Sequence, residues 1–122
     1  MPMVLNGSTG LTVDGALTAS TFGGVTTAAV NDGTFTAGTY TPVTTGGNMR
    51  YIVNNGAFTI AAPTGASFTM IIQITNGASA GVITLSGFNK TTGAFTTTVG
   101  DDFFLFITVC NGFKLANVVP LQ

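Results

Sequence analysis

Phe68-Thr69-Met70-Ile71-Ile72-Gln73-Ile74-Thr75 alternates with a period of two. In an extended chain Phe68, Met70, Ile72 and Ile74 fall on one side and Ile71, Gln73 and Thr75 on the other, as a strand with one buried face requires. Reading outward, residues 76–81 are a loop of small residues, and residues 82–86 return as a strand. A turn region over 88–95, centred on Lys90-Thr91-Thr92-Gly93, leads into a strand over 95–99. Residues 103–110 are apolar at both parities, which predicts a central strand covered on each side. Asn111-Gly112 then turns the chain into a last strand over 113–119.

Upstream, Asp-Gly and Asn-Gly pairs between β-prone triplets predict hairpins. Residues 11–18 turn at Asp14-Gly15, residues 35–40 at Ala37-Gly38, and residues 51–61 at Asn54-Asn55-Gly56. No window shows a 3.6-residue apolar stripe, and glycine with β-branched residues interrupts each of them. The motif Gly-Ala-Phe-Thr at 56–59 and 93–96 has no fixed period, so it reads as hairpin chemistry. Strands and turns every 8–12 residues fit an all-β chain, an antiparallel β-sandwich of jelly-roll type. Residues 1–47 are the poorer in large apolar side chains and read as an N-terminal arm or β-hairpin assembly region, with 48–122 as the sandwich head.

Composition narrows the chemistry. The 122 residues carry seven charges (Asp14, Asp32, Asp101, Asp102, Arg50, Lys90 and Lys114), with no His, Glu or Trp. A Ser-His-Asp triad, a histidine zinc set and a glycosidase carboxylate pair are all out of reach. Three basic residues at a net charge of −1 do not neutralise a run of phosphates, so no nucleic acid is expected. Dinucleotide and phosphate-binding glycine motifs are missing too. The expectation is a protein that is not an enzyme and takes no cofactor or metal. Charged residues make up 6% of the chain, against about 25% in an ordinary soluble domain. A surface of Thr, Ser, Asn and Gly is weakly protected from association, which points to a life packed against copies of itself or a larger assembly.

Cys110 is the only cysteine, in an apolar run, and reads as a small buried hydrophobe. The opening residues 1–6 lack the basic and apolar regions of a signal peptide, and the run 103–107 is far shorter than the ~20 residues that cross a bilayer. Assembly in a cytoplasm, away from membranes, is therefore expected. Two glycosylation-type triplets, at Asn6 and Asn89, are as many as this Asn- and Thr-rich composition produces by chance. Asp101-Asp102 is the only carboxylate pair; adjacent residues on a strand point apart, so the pair reads as charges guarding an aggregation-prone run. Tyr40 and Tyr51 are the only aromatic side chains with a polar tip, and the candidates for any glycan contact. The Thr-x-Thr pairs read as sheet surface, since ice binding needs a regular repeat.

The segment Asn6-Gly7-Ser8-Thr9-Gly10-Leu11-Thr12-Val13-Asp14-Gly15-Ala16-Leu17-Thr18-Ala19-Ser20-Thr21-Phe22 resembles the Gly/Thr/Ser stretches of tailed-bacteriophage fibre and virion surface proteins. Residues 54–60 through 71–77 resemble the β-sandwich of such proteins. The resemblance implies a homotrimer with intertwined N-terminal segments, attached to the major capsid or tail protein on the virion surface and assembled in the host cytoplasm. Within that family, 122 residues suit a capsid decoration (cement) protein better than a short tail-fibre or fibre-tip protein, which needs attachment, reach and a knob. Leu11, Val13, Leu17, Phe22 and Val25 are the expected subunit or virion interface. A carbohydrate-binding β-sandwich, with an exposed tyrosine beside Asn or Asp, is the alternative from a different class.

Overall fold

The structure, a computed structural model, describes residues 28–122. The strands in chain order are β1 (Val30–Phe35), β2 (Thr39–Tyr40), β3 (Met49–Asn54), β4 (Phe58–Ala61), β5 (Phe68–Asn76), β6 (Ile83–Ser86), β7 (Lys90–Thr92), β8 (Asp102–Cys110) and β9 (Phe113–Pro120). The described chain is all-β. Odd and even strands go to different sheets at first: β1, β3 and β5 lie in a six-stranded sheet ordered β1-β3-β5-β8-β9-β7, and β2, β4 and β6 form a three-stranded one.

The chain therefore advances as a coil. Three successive coils each lay one strand in each sheet, and like strands pair in parallel: β1 with β3, β3 with β5, β2 with β4, β4 with β6. The stack ends in a β-meander, with β8 antiparallel to β5 and β9 antiparallel to β8, while β7 runs parallel to β9 at the sheet edge. The sheets share one core, in which Tyr40, Phe58 and Ile60 from the smaller sheet meet Ile52, Met70, Ile72, Ile74, Phe103, Leu105 and Ile107 from the larger. Each of those fully buried aliphatic side chains contributes about 1.5–3 kcal/mol relative to an exposed one.

Two devices hold coil on coil. Glycine sits where a corner rests on the preceding coil's backbone: a Cβ on Gly56 would stand 2.2 Å from the Thr36 carbonyl oxygen, and one on Gly81 2.1 Å from the Ala57 nitrogen. Beside these corners Asn54 and Asn76 stack in register and are buried. The Asn54 amide donates to Asn76 Oδ1 (2.8 Å) and the Gly81 carbonyl (2.9 Å), and its oxygen accepts from the Gly81 N–H (3.2 Å). Asn76 in turn donates to the Thr96 and Thr98 carbonyls, both at 2.9 Å. Buried corner backbone that no strand can satisfy is satisfied by these amides.

Several expectations need correction. Pairing in the coil stack is parallel, so the fold is a mixed-sheet coil stack where an antiparallel sandwich was expected. Residues 35–40 and 51–61 are no hairpins: in each case the chain crosses from one sheet to the other. Residues 95–99 form no strand, whereas Lys90–Thr92, expected as turn, is the edge strand β7. One face of β8 is buried and the other partly open, and Cys110 is exposed. The Asn111-Gly112 turn holds, with both residues at positive φ (48° and 79°), as a two-residue hairpin of this twist demands. Of residues 1–47, only 28–47 are described; within them β1 and β2 are bonded to β3 and β4.

Candidate interaction surface

The strand alternation that buries Ile52, Ile72, Ile74, Leu105 and Val118 turns another set of side chains away from the core. On the outer face of the larger sheet, register aligns Met49, Ile71, Phe106 and Asn117 in one row across β3, β5, β8 and β9. The next row is Tyr51, Gln73, Phe104 and Val119, and Val53 and Leu115 extend the patch on either side. The Phe104 and Phe106 rings meet edge-on with centroids 6.0 Å apart. Met49, Tyr51 and Phe106 are 39%, 38% and 36% exposed, although two of the three are side chains that ordinarily seek cover. Neither row carries a charge. Asp102 lies at the margin, accepting from Thr75 Oγ1 (2.5 Å), and Lys90 lies on the far edge strand beside Leu115. At about 4.8 Å between strands and 6.7 Å between rows, the two rows cover about 260 Å² of sheet, interrupted by the polar Gln73 and Asn117.

A second cluster sits where the first coil meets the second. Asp32 on β1 receives Arg50 Nε (2.5 Å) and Nη2 (2.9 Å) in a two-pronged ion pair, and also the hydroxyl of Tyr40 on β2. Arg50 Nη1 donates to the carbonyls of Val43 (2.8 Å), Thr45 (2.9 Å) and Gly47 (2.8 Å). The returning loop is thus folded around one buried guanidinium, which ties it to β1 through Asp32, and Asp32 in turn holds Tyr40 of the smaller sheet. Arg50 hydrogen bonding, against a smaller cost of burial, holds the Asp32 carboxyl below its usual range. Burial first, then the Asp32 hydrogen bond, pushes the Tyr40 phenol well above its usual value. The hydrogen bond to Asp32 also raises Arg50. With the guanidinium spent on five contacts, this cluster positions backbone and offers little to a ligand.

Other candidate residues are scattered. Tyr40 is buried in that cluster, whereas Tyr51 stands on the open face with Asn31 as its register neighbour. Asp101 accepts from Thr96 Oγ1 (2.5 Å) while Asp102 serves Thr75, so the adjacent carboxylates act apart, each bracing its own segment. Leu11, Val13, Leu17, Phe22 and Val25 lie outside the described residues. Among the described residues no pocket opens, no three of His, Cys, Asp and Glu come close enough to hold a metal, and no helix is long and apolar enough to cross a membrane.

No known protein family, curated protein or solved structure matches the chain. Residues, and not relatives, must carry the functional reading. Phe104 and Phe106 are the surface residues that sequence reasoning missed. Their signal was visible as the unbroken apolar run 103–107, but it was read as a strand covered on both sides. Arg50 left a fainter trace, a lone arginine within a β-prone run.

Proposed function

We propose that the chain is a non-enzymatic structural protein of a tailed-phage virion, a capsid decoration protein working as a homotrimer. The observation that carries this reading is the partly apolar outer face of the six-stranded sheet, whose two central rows carry no charge, on a chain with so few charges. Such a face gains by being covered, at about 25 cal/mol per Å² of apolar area before the costs of association are met. The mechanism is mechanical: the protein adds contacts across neighbouring capsid subunits, so that internal pressure works against more buried surface. A short tail-fibre or fibre-tip protein would use the same face in the same way.

Solution mass tests the assembly half of this reading. Light scattering of the purified chain is expected to give a stable trimer near three times 12.3 kDa. A clean monomer at micromolar concentration would remove the self-association on which it rests. One observation favours the glycan-binding alternative, the exposed ring of Tyr51 flanked by Asn31. It predicts a monomer whose binding to a glycan array is lost in Tyr51→Ala, and the same mass measurement separates it from the trimer.

A further inference from the structure

In an Asn-Gly pair the side-chain amide and the next backbone nitrogen can react with each other. The nitrogen reaches the amide carbon by closing a five-membered ring, and glycine has no Cβ to obstruct the approach. A fold grants or withholds the other requirements: an amide side chain free of partners, a glycine N–H that is not engaged, and backbone that can turn. The chain contains the pair four times. Asn6-Gly7 lies outside the described residues. The other three, Asn55-Gly56, Asn76-Gly77 and Asn111-Gly112, meet very different surroundings.

Two of them are locked into coil corners. Asn76 is buried, its amide nitrogen donates to the Thr96 and Thr98 carbonyls, and its oxygen accepts from Asn54. The Gly77 N–H that would have to attack is held by the Asn54 carbonyl at 2.8 Å. At the other corner Asn55 Oδ1 accepts from the Ser79 N–H (2.9 Å), and the Asn55 N–H donates to the Phe35 carbonyl (2.9 Å). Its Gly56 N–H faces Asn54 Oδ1 at 3.4 Å, and Gly56 is pressed against the Thr36 backbone. Neither pair can close a ring unless its corner opens, and the corners carry the stack.

The tip of the β8–β9 hairpin is built otherwise. Asn111 and Gly112 are both exposed, and a Cβ on Gly112 would meet nothing within 4 Å. Among the described residues only the backbone N–H of Asn111 is engaged, donating to Ser67 Oγ (3.1 Å); its side-chain amide and the Gly112 N–H have no partner. Both residues stand beyond the last register pair, Cys110 with Phe113, so the tip can rearrange without breaking the ladder. We infer that Asn111 is a site of self-modification, the one of these three pairs that converts while the protein stays folded. Hydroxide takes the Gly112 amide proton, and the nitrogen forms a bond to Asn111 Cγ. The Cγ–Nδ2 bond breaks and Nδ2 leaves as ammonia with a proton from water, giving a cyclic imide. Water then opens the imide: attack at Cγ gives aspartate, and attack at the Asn111 backbone carbonyl gives isoaspartate. Nothing is oxidised or reduced. Either product adds one negative charge to a chain of net charge −1, beside the exposed Phe113 and Cys110, and isoaspartate also lengthens a two-residue turn by a backbone carbon. The assignment does not rest on the virion reading, since it concerns the folded chain itself.

Peptide mapping by mass spectrometry tests it on the unmodified full-length protein, incubated at mildly alkaline pH folded and, in parallel, unfolded in urea. Each pair is followed through its own peptide by the mass gained when an amide becomes an acid. In urea all three are expected to convert at comparable rates. In the folded protein Asn111 is expected to stay within about 10-fold of its unfolded rate, because a hairpin tip opens at little cost. Asn55 and Asn76 are expected to fall by roughly 1,000-fold or more, since their corners open only with the fold. Asn111→Gly keeps a turn that Gly-Gly suits and is expected to leave no peptide of residues 28–122 converting in the folded protein. Protection of Asn111 as deep as that of Asn76, or conversion of Asn55 or Asn76 in step with Asn111 in the folded protein, would overturn the assignment.

Discussion

Removing the guanidinium of Arg50 strands one carboxylate and three carbonyls at once. Because Arg50 is buried, Arg50→Met is expected to cost about 3–5 kcal/mol in urea unfolding, most of it the penalty of leaving Asp32 without its partner. The same pair sets an acid limit. The folded-state value of Asp32 lies below its unfolded value of 3.8, so the pair's contribution is complete above the unfolded value and is lost as pH falls through the folded one. Thermal unfolding between pH 7 and pH 2 is expected to show a loss of Tm below about pH 4 that is smaller in Asp32→Asn, itself less stable at neutral pH. Asn54→Ala leaves a buried amide and corner N–H groups without partners and is expected to cost about 2–4 kcal/mol by denaturant titration. None of these partners was legible beforehand. Asn54 read as a turn residue because the positive-φ tolerance of Asn-Gly serves a hairpin and a coil corner equally well.

At the scale of elements, what alternation reaches was read correctly and what pairing decides was not. The period-two pattern of residues 68–75 identified β5 and its buried side, and Asn111-Gly112 identified the β8–β9 hairpin. Alternation says which side of a strand is covered but nothing of which strand lies beside it. Parallel neighbours here are set by contacts 19 to 25 residues apart, and the lengthening of each coil hides the period from a search for repeats. The corners themselves are testable. Gly81→Ala would drive a Cβ into the Ala57 backbone, which cannot yield as a flexible side chain would. The expected cost is about 3 kcal/mol, the upper end of ordinary overpacking, seen as a lower denaturation midpoint with an unchanged m-value.

For the whole molecule, the low charge seen in the composition has a place in the fold: the two central rows of the outer sheet face carry no charge, and the Phe104 and Phe106 rings stand there. Its location was hidden because an apolar strand run looks the same whether a second layer or a partner covers it. If this face joins the protomers, Phe106→Asp is expected to lower the solution mass to 12.3 kDa while shifting stability by under ~1 kcal/mol, since the ring is already partly exposed in the single chain. A trimer that survives the substitution would put the contact elsewhere.

Nearest-neighbour stacking also bears on how such a molecule acquires its size. Each coil meets only the one before and the one after, and the closing meander touches the last. Duplicating the codons for one coil would lengthen the stack by about 4.8 Å and leave the pairing of the other described coils as it is. An insertion of a single residue inside a strand would instead turn the rest of that strand's side chains to the opposite face. Reach in this architecture is inherited in discrete steps, and a lineage can adjust it by copying a short piece of gene.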